Sequence, residues 1–102
     1  MYKRQPRECF RIVLKHHPSV IAFSNDTNKV SLEDNVDVYE ENHMFIPTSH
    51  ANGELMSFNC WNTCKLLSYE DGKILIKETK QLDSDYIVAN HHRACFHISN
   101  DS

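Results

Sequence analysis

The stretch HMFIPTSHANGELMSFNCWNTCKLLSYEDGKILIKETK, residues 43–80, decides the fold. It holds two hairpin signals in succession, Asn52-Gly53 and Asp71-Gly72, each between runs with alternating apolar residues. Asn-Gly and Asp-Gly suit turns that require positive φ, because glycine has no Cβ to clash and Asn or Asp tolerates the left-handed region. Four strands are expected around these turns, at 43–49, 54–60, 65–70 and 73–80, forming a β-meander.

Cross-strand chemistry sets the register. A two-residue turn at Asp71-Gly72 places Tyr69 opposite Ile74, Leu67 opposite Ile76 and Lys65 opposite Glu78. Each pair is favourable, at roughly 0.2–1 kcal/mol, whereas a slip of one residue sets Lys65 against Lys77. Translation in a wrong frame would not place these pairs together, so the frame reads as genuine. At the first hairpin, a two-residue turn would make Pro47 and Phe58 a hydrogen-bonded pair, and proline has no N–H to give. A three-residue loop, Ala51-Asn52-Gly53 with Gly53 in a bulge, is therefore expected, pairing Ile46 with Phe58 and Met44 with Cys60. A four-residue loop at Trp61–Cys64 then sets Phe58 against Leu67 and Met56 against Tyr69. One face becomes Met44, Ile46, Met56, Phe58, Cys60, Leu67, Tyr69, Ile74 and Ile76, and the other still carries Phe45, Leu55, Trp61, Leu66 and Leu75.

Outward from the meander, Cys9–Lys15 alternates, with Phe10, Ile12 and Leu14 on one side, as a half-buried strand does. His16-His17-Pro18 breaks it, Val20–Phe23 reads as a short strand, and Asn25-Asp26-Thr27-Asn28 is a turn by composition. Ser31–Asn42 carries helical and extended signals together, and the β-branched pair Val36 and Val38 favours a strand over Val36–Tyr39. Beyond the meander, Tyr86–Ala89 and Ala94–Ile98 are open to two further strands or one helix, and the alternation of Ala94, Phe96 and Ile98 favours strands. The expected fold is all-β or β-rich, an antiparallel β-meander in a small barrel or two-layer sandwich of six to eight strands.

With 102 residues, the chain has room for one domain. Tyr2-Lys3-Arg4-Gln5 resembles a translated transposon-end adapter, so residues 1–5 read as a sequencing scar and 6–102 as one small β domain, truncated at its N-terminus, from a larger microbial protein. Without Lys3 and Arg4 the formal charge falls by two, from −3 to −5. No basic stripe suggests a nucleic-acid groove. No apolar run approaches the ~18 residues of a membrane span, and a cytoplasmic location is the expectation.

Three chemistries are open to the residues present. Trp61, Phe45 and Leu55 fall on the second face in this register and form a candidate binding surface for a ligand or protein partner, since aromatic side chains concentrate binding energy. Cys60, Cys64, Cys95 and His97 are the soft donors a structural zinc would use, although the C-x3-C spacing is not that of a zinc knuckle. A hydrolase would employ Cys60 or Cys95 as nucleophile with His91, His92 or His97 as base, but no catalytic signature surrounds either thiol. The favoured expectation is a non-catalytic binding or protein-interaction module without a cofactor. The cysteine/histidine hydrolase and the zinc-stabilised module are the alternatives.

Overall fold

The computed structural model describes residues 9–14, 16–34 and 40–97. The residues of the adapter-like N-terminus and the strand expected at Val36–Tyr39 lie outside that set, as do Lys15 and Ile98. The described chain is strand-rich, with seven antiparallel strands and one helix. The strands are β1 (Ser19–Ser24), β2 (Lys29–Asp34), β3 (Phe45–His50), β4 (Leu55–Cys60), β5 (Lys65–Glu70), β6 (Lys73–Glu78) and β7 (Phe96–His97), and α1 (Ser84–Asn90) lies between β6 and β7.

The meander forms as its pairing chemistry demands. β5 and β6 pair with Lys65 opposite Glu78, Leu67 opposite Ile76 and Tyr69 opposite Ile74. The turn between them has Asp71 at φ 52° and Gly72 at φ 76°, the double positive φ that matches strand twist. Trp61–Cys64 is the four-residue connection, and Asn59 stands opposite Leu66, as that loop length requires.

The first hairpin differs from expectation by one residue. Phe45 pairs with Cys60, Ile46 with Asn59 and Pro47 with Phe58, and the connection is the four residues Ala51–Glu54. Proline is accommodated by the phase of the ladder. The Trp61 N–H donates to the Met44 carbonyl at 3.0 Å, so hydrogen-bonded pairs alternate from there and Pro47 opposite Phe58 falls between them. The longer loop shifts that phase while keeping the partner. Consequently Phe45, not Met44 or Ile46, faces the core. Ala51, Asn52 and Gly53 all have positive φ, at 53°, 59° and 90°.

β1 and β2 form a separate hairpin through the Asn25–Asn28 turn, with Ile21 opposite Leu32 and Phe23 opposite Val30. Residues 10–14 join the two sheets. Phe10 exchanges backbone hydrogen bonds with Phe45 at 2.7 and 2.9 Å, and Ile12 accepts from Ile21 at 2.9 Å. The segment thus passes from the edge of β3 to the edge of β1. Ile12 and Leu14 pack on the core while Phe10 stays 56% exposed. Since β2 lies against β6, the layers curl toward a barrel around Ile21, Phe23, Phe45, Cys60, Leu67 and Ile76. Phe23 and Phe45 meet edge to face there, with ring centroids 5.4 Å apart.

The outer face of the meander carries the second core. Leu66, Ile87 and Ala94 are buried together, with Cys95 against them. Here the expected strand at 86–89 is instead α1, seven residues long. Asp83 caps it, its carboxylate accepting from the Tyr86 N–H at 3.3 Å, and Leu82 and Ile87 occupy the positions of a hydrophobic staple. A helix this short is not stable alone, and burial of Ile87 on Leu66 decides its form. The next expected strand shrinks to Phe96 and His97, preceded by a 3-10 turn at His92–Ala94. β7 pairs with β4 at Leu55 and Met56, on the edge that β5 occupies farther along, so β4 forks between two neighbours.

Two histidines are struts inside this frame. His43 is 2% exposed, and its Nε2 lies 2.8 Å from Glu33 Oε1 while Nδ1 is buried without a partner. The ring must therefore carry its hydrogen on Nε2, donating to the carboxylate. His50, also 2% exposed, bridges Ser84 Oγ at 2.7 Å from Nδ1 and Ser57 Oγ at 2.8 Å from Nε2. It ties β3, β4 and the start of α1 together. Among the described residues no helix is long and apolar enough to cross a membrane.

Candidate functional site: the clefts flanking Trp61

Trp61 begins the loop that joins β4 to β5, and the loop is held by a dense set of local bonds. The Thr63 N–H and hydroxyl donate to the Cys60 carbonyl at 3.1 and 2.7 Å, and the Lys65 N–H donates to Thr63 Oγ1 at 3.1 Å. From beneath, buried Asn59 donates its amide hydrogens to the carbonyls of Thr63 and Lys65, both at 2.9 Å. Asn62, at φ 61°, supplies the left-handed residue that reverses the chain. The loop is also braced against the other sheet. Lys65 Nζ donates to the Asn25 carbonyl at 2.8 Å and to Asn28 Oδ1 at 2.7 Å.

This loop separates two clefts. On one side, a cleft of about 490 Å³ runs along Ile46, Asn59, Trp61, Asn62, Thr63 and Cys64. On the other, a cleft of about 250 Å³ is formed by Phe23, Asn25, Glu41 and Asn42, again with Trp61 and Asn62. Trp61 and Asn62 therefore form a ridge with a wall on each side. The side-chain amides of Asn25, Asn42 and Asn62 and the carboxylate of Glu41 make no hydrogen bond to another described residue. Each amide presents one acceptor and two donor hydrogens. Asn59 has both amide hydrogens committed to the loop and offers only its oxygen.

Of the residues expected to form a binding surface, Trp61 is in the clefts and the other two are not. Phe45 is fully buried in the main core, because the register of β3 is one residue from that expected. Leu55 is six positions from Trp61 along β4, about 20 Å at the rise of a strand, and it pairs with His50 and His97.

The four soft donors are dispersed. Cys60 is in the main core, Cys64 is exposed on the cleft wall, Cys95 packs beside Leu66 on the opposite face of the sheet, and His97 is exposed on β7. Among the described residues, no three His, Cys, Asp or Glu side chains are gathered as a metal ion would need. The two proposed nucleophiles are also poorly placed to ionise. Burial pushes the Cys60 thiol up to about 12, with Lys65 opposing it only in part, and burial raises Cys95 as well. At neutral pH both are thiols rather than the reactive thiolates.

Sequence reasoning missed the asparagines that line the clefts. The signal available was Trp61-Asn62-Thr63 on a turn together with an asparagine-rich composition. The convergence of Asn25 and Asn42 on the same ridge depends on packing between sheets. The chain matches no protein-family profile, no curated protein and no solved structure.

Proposed function

We propose that the protein is a non-catalytic binding module whose site is the pair of clefts astride Trp61, and that its ligand is a neutral saccharide. The observation that supports this reading is the juxtaposition of one half-buried indole with the unpartnered amides of Asn25, Asn42 and Asn62. A sugar ring has an apolar C–H face and a rim of hydroxyls, each both donor and acceptor. An indole suits the face and amides suit the rim. The fixed loop supplies the remaining requirement, because a site held by its own hydrogen bonds loses little entropy when occupied. An apolar peptide would instead leave three amides and the Glu41 carboxylate desolvated, which disfavours it.

The chain has a single tryptophan, so its emission reports on the site directly. Titration with soluble hexasaccharides of glucose, xylose, mannose and N-acetylglucosamine should give a saturable change in emission with at least one of them. Calorimetry on Asn62→Ala should show that binding weakened, with the melting temperature retained. Unchanged emission and no heat across the whole series would sink the saccharide reading.

A further inference from the structure

A third cavity lies where β5, β6 and the end of α1 meet. It measures about 270 Å³ and is lined by Ser68, Glu70, Lys77, Asn90, His91, His92 and Arg93. We propose that this cavity is an oxyanion site that takes the head group of a phosphate monoester.

Its floor is Ser68. That residue is only 4% exposed, yet its hydroxyl has no hydrogen-bond partner among the described residues and opens into the cavity. The hydroxyl is thus reached only through the cavity, where an acceptor can take its hydrogen in place of water. The walls supply cations. Arg93 and His92 have no ion-pair or hydrogen-bond partner for their side chains among the described residues. Lys77, which stands opposite Leu66, extends past Ser68 to Glu70, where Nζ lies 3.6 Å from the carboxylate. That ion pair is long and nearly half exposed, so an incoming anion competes with it at little cost.

Charge points the same way. Lys77 and Arg93 against Glu70 leave the cavity one positive charge in excess, inside a chain whose formal net charge is −3. The imidazoles of His91 and His92 add N–H donors. Donors thus reach the cavity from below through Ser68 and from the sides through Arg93, Lys77 and the histidines. Three terminal oxygens of a tetrahedral group use such a spread of directions better than a planar carboxylate does. The volume is just under the roughly 300–1,000 Å³ that encloses a drug-sized ligand. The cavity therefore suits a head group whose carrier remains outside.

The test is an NMR titration of the full chain with inorganic phosphate, sulfate and phenyl phosphate at constant ionic strength, followed through backbone amides. Saturable shifts should centre on Ser68, Lys77, His92 and Arg93, tightest for phenyl phosphate, while Trp61 emission stays unchanged. Arg93→Ala should weaken binding roughly tenfold or more, as expected for loss of a charge-assisted bond. Glu70→Gln should strengthen it by removing the opposing carboxylate, a gain that a purely structural cluster would not show. Thermal melts of both variants keep folding separate from binding. Absence of saturable shifts with all three probes, or weaker binding by Glu70→Gln, overturns the site. Equal affinity for the three probes overturns the monoester assignment.

Discussion

The sharpest stability test concerns the two hydroxyls on His50. Their hydrogen bonds are nearly equal in length, 2.7 Å to Ser84 and 2.8 Å to Ser57, but their surroundings are not. Ser57 is 1% exposed, whereas Ser84 is half-buried at the start of α1. Ser57→Ala removes one partner and leaves Nε2 of a buried imidazole facing a methyl group that water cannot reach. An unsatisfied buried polar atom costs about 1–3 kcal/mol. Ser84→Ala opens a position that water can fill, so its cost should stay below about 1 kcal/mol. Taking ~2 kcal/mol for Ser57→Ala and an m-value of ~1.5–2 kcal/mol/M, the urea midpoint should fall by about 1 M. The melting temperature should fall by about 8–16 °C. The midpoint for Ser84→Ala should move by less than half as much. Urea unfolding followed by circular dichroism reads both variants. A Ser84→Ala effect equal to or larger than that of Ser57→Ala would refute the argument that burial, not bond length, sets the cost.

Two further outcomes follow from the backbone and the core. The Cys60 thiol is held at about 12 in the folded state against an ordinary 9.0, so the native protein keeps its proton where the unfolded chain has lost it. That stabilisation is complete below pH 9 and is lost as pH rises toward 12, at up to ~1.4 kcal/mol per pH unit. The stability gap between the wild type and Cys60→Ala should accordingly narrow between pH 9 and 10 in urea titrations, and a constant gap would contradict the burial of this thiol. At the turns, Gly72→Ala should destabilise by about 1 kcal/mol and Ala51→Gly should stabilise by about 0.5–1 kcal/mol. At Gly72 an added Cβ meets nothing within 4 Å, so the effect there is conformational alone; the two melting temperatures should move in opposite directions.

Legibility tracked the range of the interactions involved. The β5–β6 register was readable because three neighbouring pairs and a two-residue turn determine it locally. Of the β1–β2 hairpin, β1 and the Asn25–Asn28 turn were readable, but β2 at Lys29–Asp34 was not, because its mostly exposed residues carry little apolar alternation. The β3–β4 register was not, because Pro47 excludes a hydrogen-bonded position rather than a partner, and a four-residue loop shifts one without the other. The choice moved Phe45 from the binding surface to the core. Helix α1 was misread because Tyr86-Ile87-Val88 has strand character, and only the Asp83 cap and the distant Leu66 reveal the helix. The place of Trp61 at the head of the β4–β5 loop was legible, since only a four-residue connection at 61–64 keeps one apolar face continuous. Its asparagine neighbours were not, because Asn25 and Asn42 arrive from other elements.

The same economy explains the two buried histidines and the fixed loop at Trp61. An apolar fraction of 40% leaves a small core, and buried polar residues complete it in pairs: His43 on Glu33, His50 on two serines, Asn59 under its own loop. Each such strut must find its partner at one geometry, so each fixes the backbone more narrowly than an apolar contact of the same size. Asn59 applies that constraint to the 61–64 loop, and Lys65 extends it to the Asn25–Asn28 turn. Of the residues that carry the proposed ligand chemistry, Asn62 and Asn25 are therefore placed by polar bonds, while Trp61 also packs against the main core. Weakening one strut, as Asn59→Ala would, should loosen the ridge before it unfolds the barrel, because the six buried side chains of the main core do not depend on it.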